Sequence, residues 1–137
     1  MDELELPEHV RQKAAVTPGG EHAWRIEDVE DAIDAGRKVG LACLGGQVQF
    51  QFDGGTCEAY WLSYEPEDRQ AGESWRRYVV RSTEEVRAAF RRVCQETDFR
   101  RVALNWKFIR QKVETEACDP LGHLRFVLYF KRDEPRS

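Results

Sequence analysis

Residues 44–55, Leu44-Gly45-Gly46-Gln47-Val48-Gln49-Phe50-Gln51-Phe52-Asp53-Gly54-Gly55, running on to Tyr60-Trp61, decide the reading of the fold. Val48, Phe50 and Phe52 alternate with three glutamines, which is the period of a half-buried strand, and the Asp53-Gly54-Gly55 break supplies the positive φ of a tight turn. A two-residue Gly54-Gly55 loop sets Phe52 opposite Cys57, Phe50 opposite Ala59 and Val48 opposite Trp61, all on one apolar side. The other side carries Gln47, Gln49, Gln51, Glu58, Tyr60 and Leu62. These amides and aromatics offer area and hydrogen-bonding capacity without a titratable pair suited to catalysis, so the side reads as a face for contact.

Upstream, Ile26, Val29, Ala32, Ile33 and Val39 recur at helical spacing among Glu27, Asp28, Glu30, Asp31 and Asp34. Arg37 and Lys38 suit the C-terminal end of that helix, and Gly40 fits just past it. Leu41–Leu44 reads as an inner strand. Downstream, Pro66–Gly72 is a charged loop and Trp75–Arg81 is expected as a short strand with Tyr78 and Val80 on one face. Ser82-Thr83-Glu84-Glu85 reads as a capping box that opens a second helix, with Val86, Ala89, Phe90, Val93 and Cys94 as its apolar stripe. Val102, Leu104, Trp106 and Phe108 alternate with their neighbours. They predict a strand that pairs across the Asp119–Gly122 turn with Leu124, Phe126, Leu128 and Phe130.

The expected fold is α+β, a single domain with a mainly antiparallel sheet of about five or six strands and two main helices packed on one face. Residues 1–22 hold Pro7, Pro18, Gly19 and Gly20 and read as a flexible N-terminal arm with one short helix near Glu8–Val16. Residues 23–132 form the domain and 133–137 a C-terminal tail.

The 137 residues can bury a substantial core. No apolar run approaches ~20 residues, and the acidic start Met1–Glu5 is unlike a secretory leader, so a cytoplasmic location without a membrane partner is expected. Cys43, Cys57, Cys94 and Cys118 lack paired or metal-finger spacing and read as free buried thiols. Cys94 lies on an inward stripe, where a thiol is inert. His9, His22 and His123 have no second ligand at metal spacing, so neither a metal nor a cofactor is expected. Gly45-Gly46 lacks the Lys-Ser or Lys-Thr of a phosphate loop and leads into a strand.

Net charge is −4, but it is unevenly spread: residues 1–35 carry −7, residues 36–72 carry −2 and residues 73–137 carry +5. Such polarity suits an acidic face for a basic partner, a basic face for nucleic acid, or two elements that attract each other within the fold. A nucleic-acid-binding module would use Arg87, Arg91, Arg100 and Arg101. The run Trp106-Lys107-Phe108-Ile109-Arg110 has the composition of a single-strand binder, yet Trp106 and Phe108 share the core-facing side with Val102 and Leu104.

Ala23-Trp24 before the first helix, Gly40-Leu41-Ala42-Cys43-Leu44-Gly45-Gly46 after it, Trp61 in the hairpin, and Glu73-Ser74-Trp75 with Tyr78-Val79-Val80-Arg81-Ser82 form an ordered set over about residues 20–95. This set resembles the bacterial immunity-protein family numbered forty among polymorphic-toxin systems. The family typically follows its double glycine with an acidic residue where this chain has Gln47, so no carboxylate role transfers there. The resemblance implies a small cytosolic antidote that binds a cognate toxin domain and has no catalysis of its own. Of the motif residues, Trp24, Trp61, Trp75 and Tyr78 read as core or staple rings, Gly45 and Gly46 as turn residues and Ser82 as a cap. The expected partner-binding residues are Glu27, Asp28, Asp31 and Asp34 on the first helix, joined by Gln49, Gln51 and Tyr60. A nucleic-acid module, a small enzyme assembled from distant residues, and self-association as a homodimer remain as alternatives.

Overall fold

The computed structural model describes residues 1–134, so the last three residues of the expected 133–137 tail lie outside the described residues. A five-stranded antiparallel sheet runs in the order β1 (Ala15–Val16), β2 (His22–Trp24), β6 (Leu124–Val127), β4 (Gln47–Phe52), β5 (Gly55–Ser63). A two-stranded sheet pairs β3 (Ala42–Gly45) with β7 (Tyr129–Lys131). The helices are α1 (Glu8–Arg11), α2 (Val29–Lys38), α3 (Trp75–Glu96), α4 (Phe99–Ala103) and α5 (Lys107–Glu116). The class is α+β in one domain.

The core lies between the main sheet and the helices. Phe90 of α3 and Phe99 of α4 meet Phe126 edge-on at 5.1 and 5.7 Å between ring centroids. Trp106 lies against Phe50 at 5.9 Å, and Phe108 against Phe52 at 6.0 Å. Burial of these rings is the dominant favourable contribution to such a fold.

Both sheets bend at one corner, where β3 runs into β4 and β6 into β7. Gly45 and Gly46 make that corner sterically feasible. A Cβ on Gly45, whose φ is +78°, would meet the Tyr64 carbonyl oxygen at 2.0 Å, and one on Gly46 would meet the Val127 carbonyl oxygen at 1.9 Å. These glycines are therefore close-approach residues as well as a bend. The buried Tyr64 hydroxyl donates toward the carbonyls of Val127, at 2.8 Å, and Gln47, at 3.1 Å, and so satisfies groups the bend leaves open.

Four expectations are corrected. The hairpin loop is Asp53-Gly54 rather than Gly54-Gly55: Phe52 pairs with Gly55, Phe50 with Cys57 and Val48 with Ala59. Asp-Gly is the favoured sequence for such a turn, and Gly54 has a φ of +88°. The register slips by an even number of residues, so the facing sides are kept along this stretch. Beyond it, Gln47 pairs with Ser63, and Tyr60, Trp61 and Leu62 form a bulge instead of placing Trp61 opposite Val48.

Trp75–Arg81 is the beginning of a 22-residue helix, not a strand. Ser74 is the N-cap, its side chain accepting from the Arg77 amide, and Tyr78, Val79, Ser82, Thr83, Val86 and Phe90 make one continuous buried stripe. Ser82 is consequently no cap. Its hydroxyl donates to the Val79 carbonyl and accepts from the Cys43 amide at 3.3 Å, pinning α3 to β3.

Residues 102–109 hold the end of α4, a turn over 104–106 and the start of α5, not a strand. Asp98 caps α4, and Val102, Trp106, Ile109 and Val113 follow a helical spacing that the shorter alternation conceals. Finally, the first 22 residues are not loosely attached. Leu6 and Val10 are buried, Trp24 donates its indole N–H to the Val10 carbonyl at 2.9 Å, and Ala15–Val16 is a strand of the main sheet.

Candidate partner-binding surface

The acidic helix face is largely engaged with the rest of the chain. Asp34 is ion-paired with Arg87 of α3, and Glu30 lies 3.4 Å from the Arg87 guanidinium and accepts from Arg91 at 2.5 Å. Asp28 lies 3.8 Å from Lys13, while Glu27 and Asp31 are exposed. Asp28, Asp31 and Asp34 line a groove of about 300 Å³ beside α1, but Lys13, Lys38 and His9 line it too. The charge polarity of the sequence is thus spent in part on holding α2 to α3.

Similar pairing accounts for three of the four arginines that suit nucleic acid, since Arg100 also binds Asp119 at 3.0 Å. Trp106 and Phe108 pack against core rings, as the sequence implies.

The outer face of the main sheet differs. Gln49 is fully buried there, and its amide nitrogen donates to Glu58 at 2.7 Å and to Glu21 at 3.3 Å. Gln51 donates to the Gln49 oxygen at 3.1 Å. Tyr129 gives its hydroxyl proton to Glu21 and accepts from Gln47 at 3.3 Å. Burial first, and then the hydrogen bond to Glu21, push the Tyr129 phenol up to about 12. Tyr60 also titrates high, because Glu58 stands beside its hydroxyl. Gln49 is therefore the organising residue of the face rather than an accessible contact; Gln51 is half-buried and Tyr60 exposed.

Two carboxylates thus converge on one amide, a pairing the hairpin alone does not contain because Glu21 comes from the segment before β2. Glu58 was readable on the outer side of the hairpin. Glu21 was hidden in a Pro-Gly-rich stretch, and Tyr129 was visible only as an odd position between Leu128 and Phe130.

At the end of this face the bulge in edge strand β5 presents Tyr60 and Trp61, which are 69% and 62% exposed. Trp61 stacks on Trp106 at 5.8 Å with planes 25° apart, so its ring is held before any partner arrives. It is no core residue, unlike Trp24 and Tyr78, which are buried, and Trp75, which donates its indole N–H to the Gly40 carbonyl at 2.9 Å.

Cys43 and Cys94 are poor nucleophiles. Burial pushes Cys43 up to about 12 and Cys94 to about 11. Among the described residues, no group of three or more His, Cys, Asp or Glu could hold a metal ion, and no helix is long and apolar enough to cross a membrane. Comparison of the chain with protein-family models, curated proteins and solved structures finds no match.

Proposed function

We propose that the chain is a cytoplasmic, non-catalytic immunity protein that binds a cognate bacterial toxin domain and blocks it. The observation that carries this reading is the exposed Tyr60-Trp61 pair on the bulge of β5, with Trp61 already stacked on Trp106. Large aromatic rings fixed before encounter lose little rotamer freedom on binding and are enriched among residues that dominate contact energies. The bulge also keeps β5 from pairing edge to edge with other strands, which leaves side-chain contact as the natural use of this edge. The resemblance of the ordered motif set to the immunity family supplies the toxin as partner.

The test is to read the neighbouring reading frames for a secreted protein with a toxin-like C-terminal domain and to co-express that domain with this chain. The wild-type chain restores growth of the host. A Tyr60→Ala/Trp61→Ala variant with an unchanged melting temperature binds the toxin at least about a hundredfold more weakly and fails to protect. A wild-type chain that neither binds that domain nor restores growth overturns the proposal.

A further inference from the structure

We infer that the outer face of the main sheet, centred on Glu21 and Glu58 and flanked by Tyr60, is a docking surface for a basic protein segment, a guanidinium or ammonium group of the partner seating against the two carboxylates from the solvent side. This deepens the reading above and rests on it for the identity of the partner, though not for the chemistry of the surface.

Charge complementarity selects the basic segment as occupant. Because both carboxylates contact the Gln49 amide nitrogen, at 2.7 and 3.3 Å, their bound oxygens lie within about 6 Å of each other. Their hydrogen-bond donors are neutral groups: Glu21 accepts from Gln49, Tyr129 and Thr17, and Glu58 accepts from Gln49. Among the described residues no lysine, arginine or histidine nitrogen stands within 4.0 Å of either, in contrast to Asp34, Glu30 and Glu73. The cation best placed to serve them turns away. Arg125 is the β6 partner of Gln49 across the ladder, yet its guanidinium donates to the carbonyls of Gly122, at 3.0 Å, and Leu124, at 2.8 Å.

The surface therefore holds two negative charges in a fixed geometry with their hydrogen bonds in place and their counter-charge missing. Neutral donors set the carboxylates' orientation, so an incoming cation meets a preorganised site. Tyr60 adds a ring alongside, which suits a guanidinium because it can stack on an aromatic face while bonding a carboxylate. A basic segment crossing from this face to Trp61 would meet charge first and aromatic contact next.

The test needs no toxin. The ¹⁵N-labelled protein is titrated with a hexa-arginine peptide at low ionic strength, and the side-chain amide signals of Gln47, Gln49 and Gln51 are followed. They shift in the wild type, and the affinity falls at least fivefold in Glu21→Gln/Glu58→Gln. Should that variant lose its native spectrum, Glu58→Gln alone serves, with a smaller but still measurable loss. Shifts confined to the backbone around Asp28 and Asp31, no shift at all, or equal affinity in the variant each overturn the inference. Because the toxin assay does not enter, failure here leaves the Tyr60-Trp61 reading standing, and failure of the toxin assay leaves this surface chemistry standing.

Discussion

Two acidic regions of this molecule have met opposite fates. On α2, Glu30 and Asp34 face the arginines of α3 and help to close the domain. On the outer sheet, Glu21 and Glu58 are brought together by the Gln49 amide, with the Tyr129 hydroxyl on Glu21, and receive no cation from the described chain. Composition makes the helix the more eye-catching partner surface, since it holds more acids per residue. Geometry reverses that ranking: what distinguishes an outward-looking charge is the lack of a countercharge within the fold, not its sign or density. Arg81 belongs with the first kind, clamping Glu73 at 2.6 Å and Glu85 at 3.0 Å so that the loop before α3 is strapped to the helix.

The largest effect should come from breaking the internal pairing. Arg87 is only a quarter exposed, and Arg87→Glu sets a third carboxylate against Asp34 and Glu30. A cost of about 2 kcal/mol is expected, between the values for exposed and buried pairs, which lowers the melting temperature by roughly 6 °C. Adding Asp34→Lys should restore at least half of that loss, as a double-mutant cycle would show. Independent, additive effects would mean that α2 is not held by these charges, and the contrast between the two regions would collapse.

Acid offers a second probe of compensated charge. Hydrogen bonds from Arg81 chiefly, aided by the Gln70 amide, hold the Glu73 carboxyl down from the usual 4.5 to about 2. A depressed carboxyl stabilises the fold above its unfolded value, and that contribution is lost as pH falls from about 4.5 through about 2. Release of the loop should change the fluorescence of Trp75, whose ring has the Arg69 guanidinium 5.3 Å away. In Glu73→Gln the transition in that window should disappear. Its persistence there would assign it to another carboxylate.

The sequence made some of this legible and hid the rest for identifiable reasons. The alternation of Val48, Phe50 and Phe52 carried both faces of β4 correctly, because a two-residue error in the turn preserves the side-chain period. The α2 stripe was equally plain. Trp75–Arg81 misled because Tyr78 and Val80 suit a strand and Ser82-Thr83-Glu84-Glu85 imitates a helix start. The deciding signal was Ser74, a cap eight residues earlier. Val102–Phe108 alternates like a strand yet spans the end of α4, a turn and the start of α5, where Trp106 and Phe108 meet Phe50 and Phe52 through contacts that local sequence does not encode. The candidate surface was half visible: Gln49, Gln51, Glu58 and Tyr60 followed from the hairpin, whereas Glu21 reached them only through the long-range pairing of β2, β6 and β4.

Removing charge from the outer face should do the reverse of removing it from α2. Glu21→Gln/Glu58→Gln keeps the size of both side chains, exchanges one acceptor oxygen of each for a donor, and abolishes a repulsion across about 6 Å of partly solvated space. The melting temperature should rise by about 2 °C in calorimetry at low salt, and the gain should shrink as salt screens the pair. A fall of several degrees would mean that the charged hydrogen bonds outweigh the repulsion. The face would then be a structural network like the Arg81 clamp, and the comparison would lose its second term.

The smallest effect is also the most local. Glu21 raises the Tyr129 phenol by accepting its proton in a hydrogen bond and by its charge, but burial is the larger cause. Glu21→Gln should therefore bring Tyr129 down from about 12 while leaving it above the ordinary 10. The near-ultraviolet tyrosinate titration reads this directly, with Tyr129→Phe identifying the relevant step among the four tyrosines. Asp31→Asn on α2 should leave the same step unmoved, since Asp31 lies on the other acidic region. If Glu21→Gln also leaves it unmoved, Glu21 does not stand against Tyr129 in solution. The two carboxylates are then not held together on Gln49, and the outer face becomes another loose set of solvated acids with no claim over the helix.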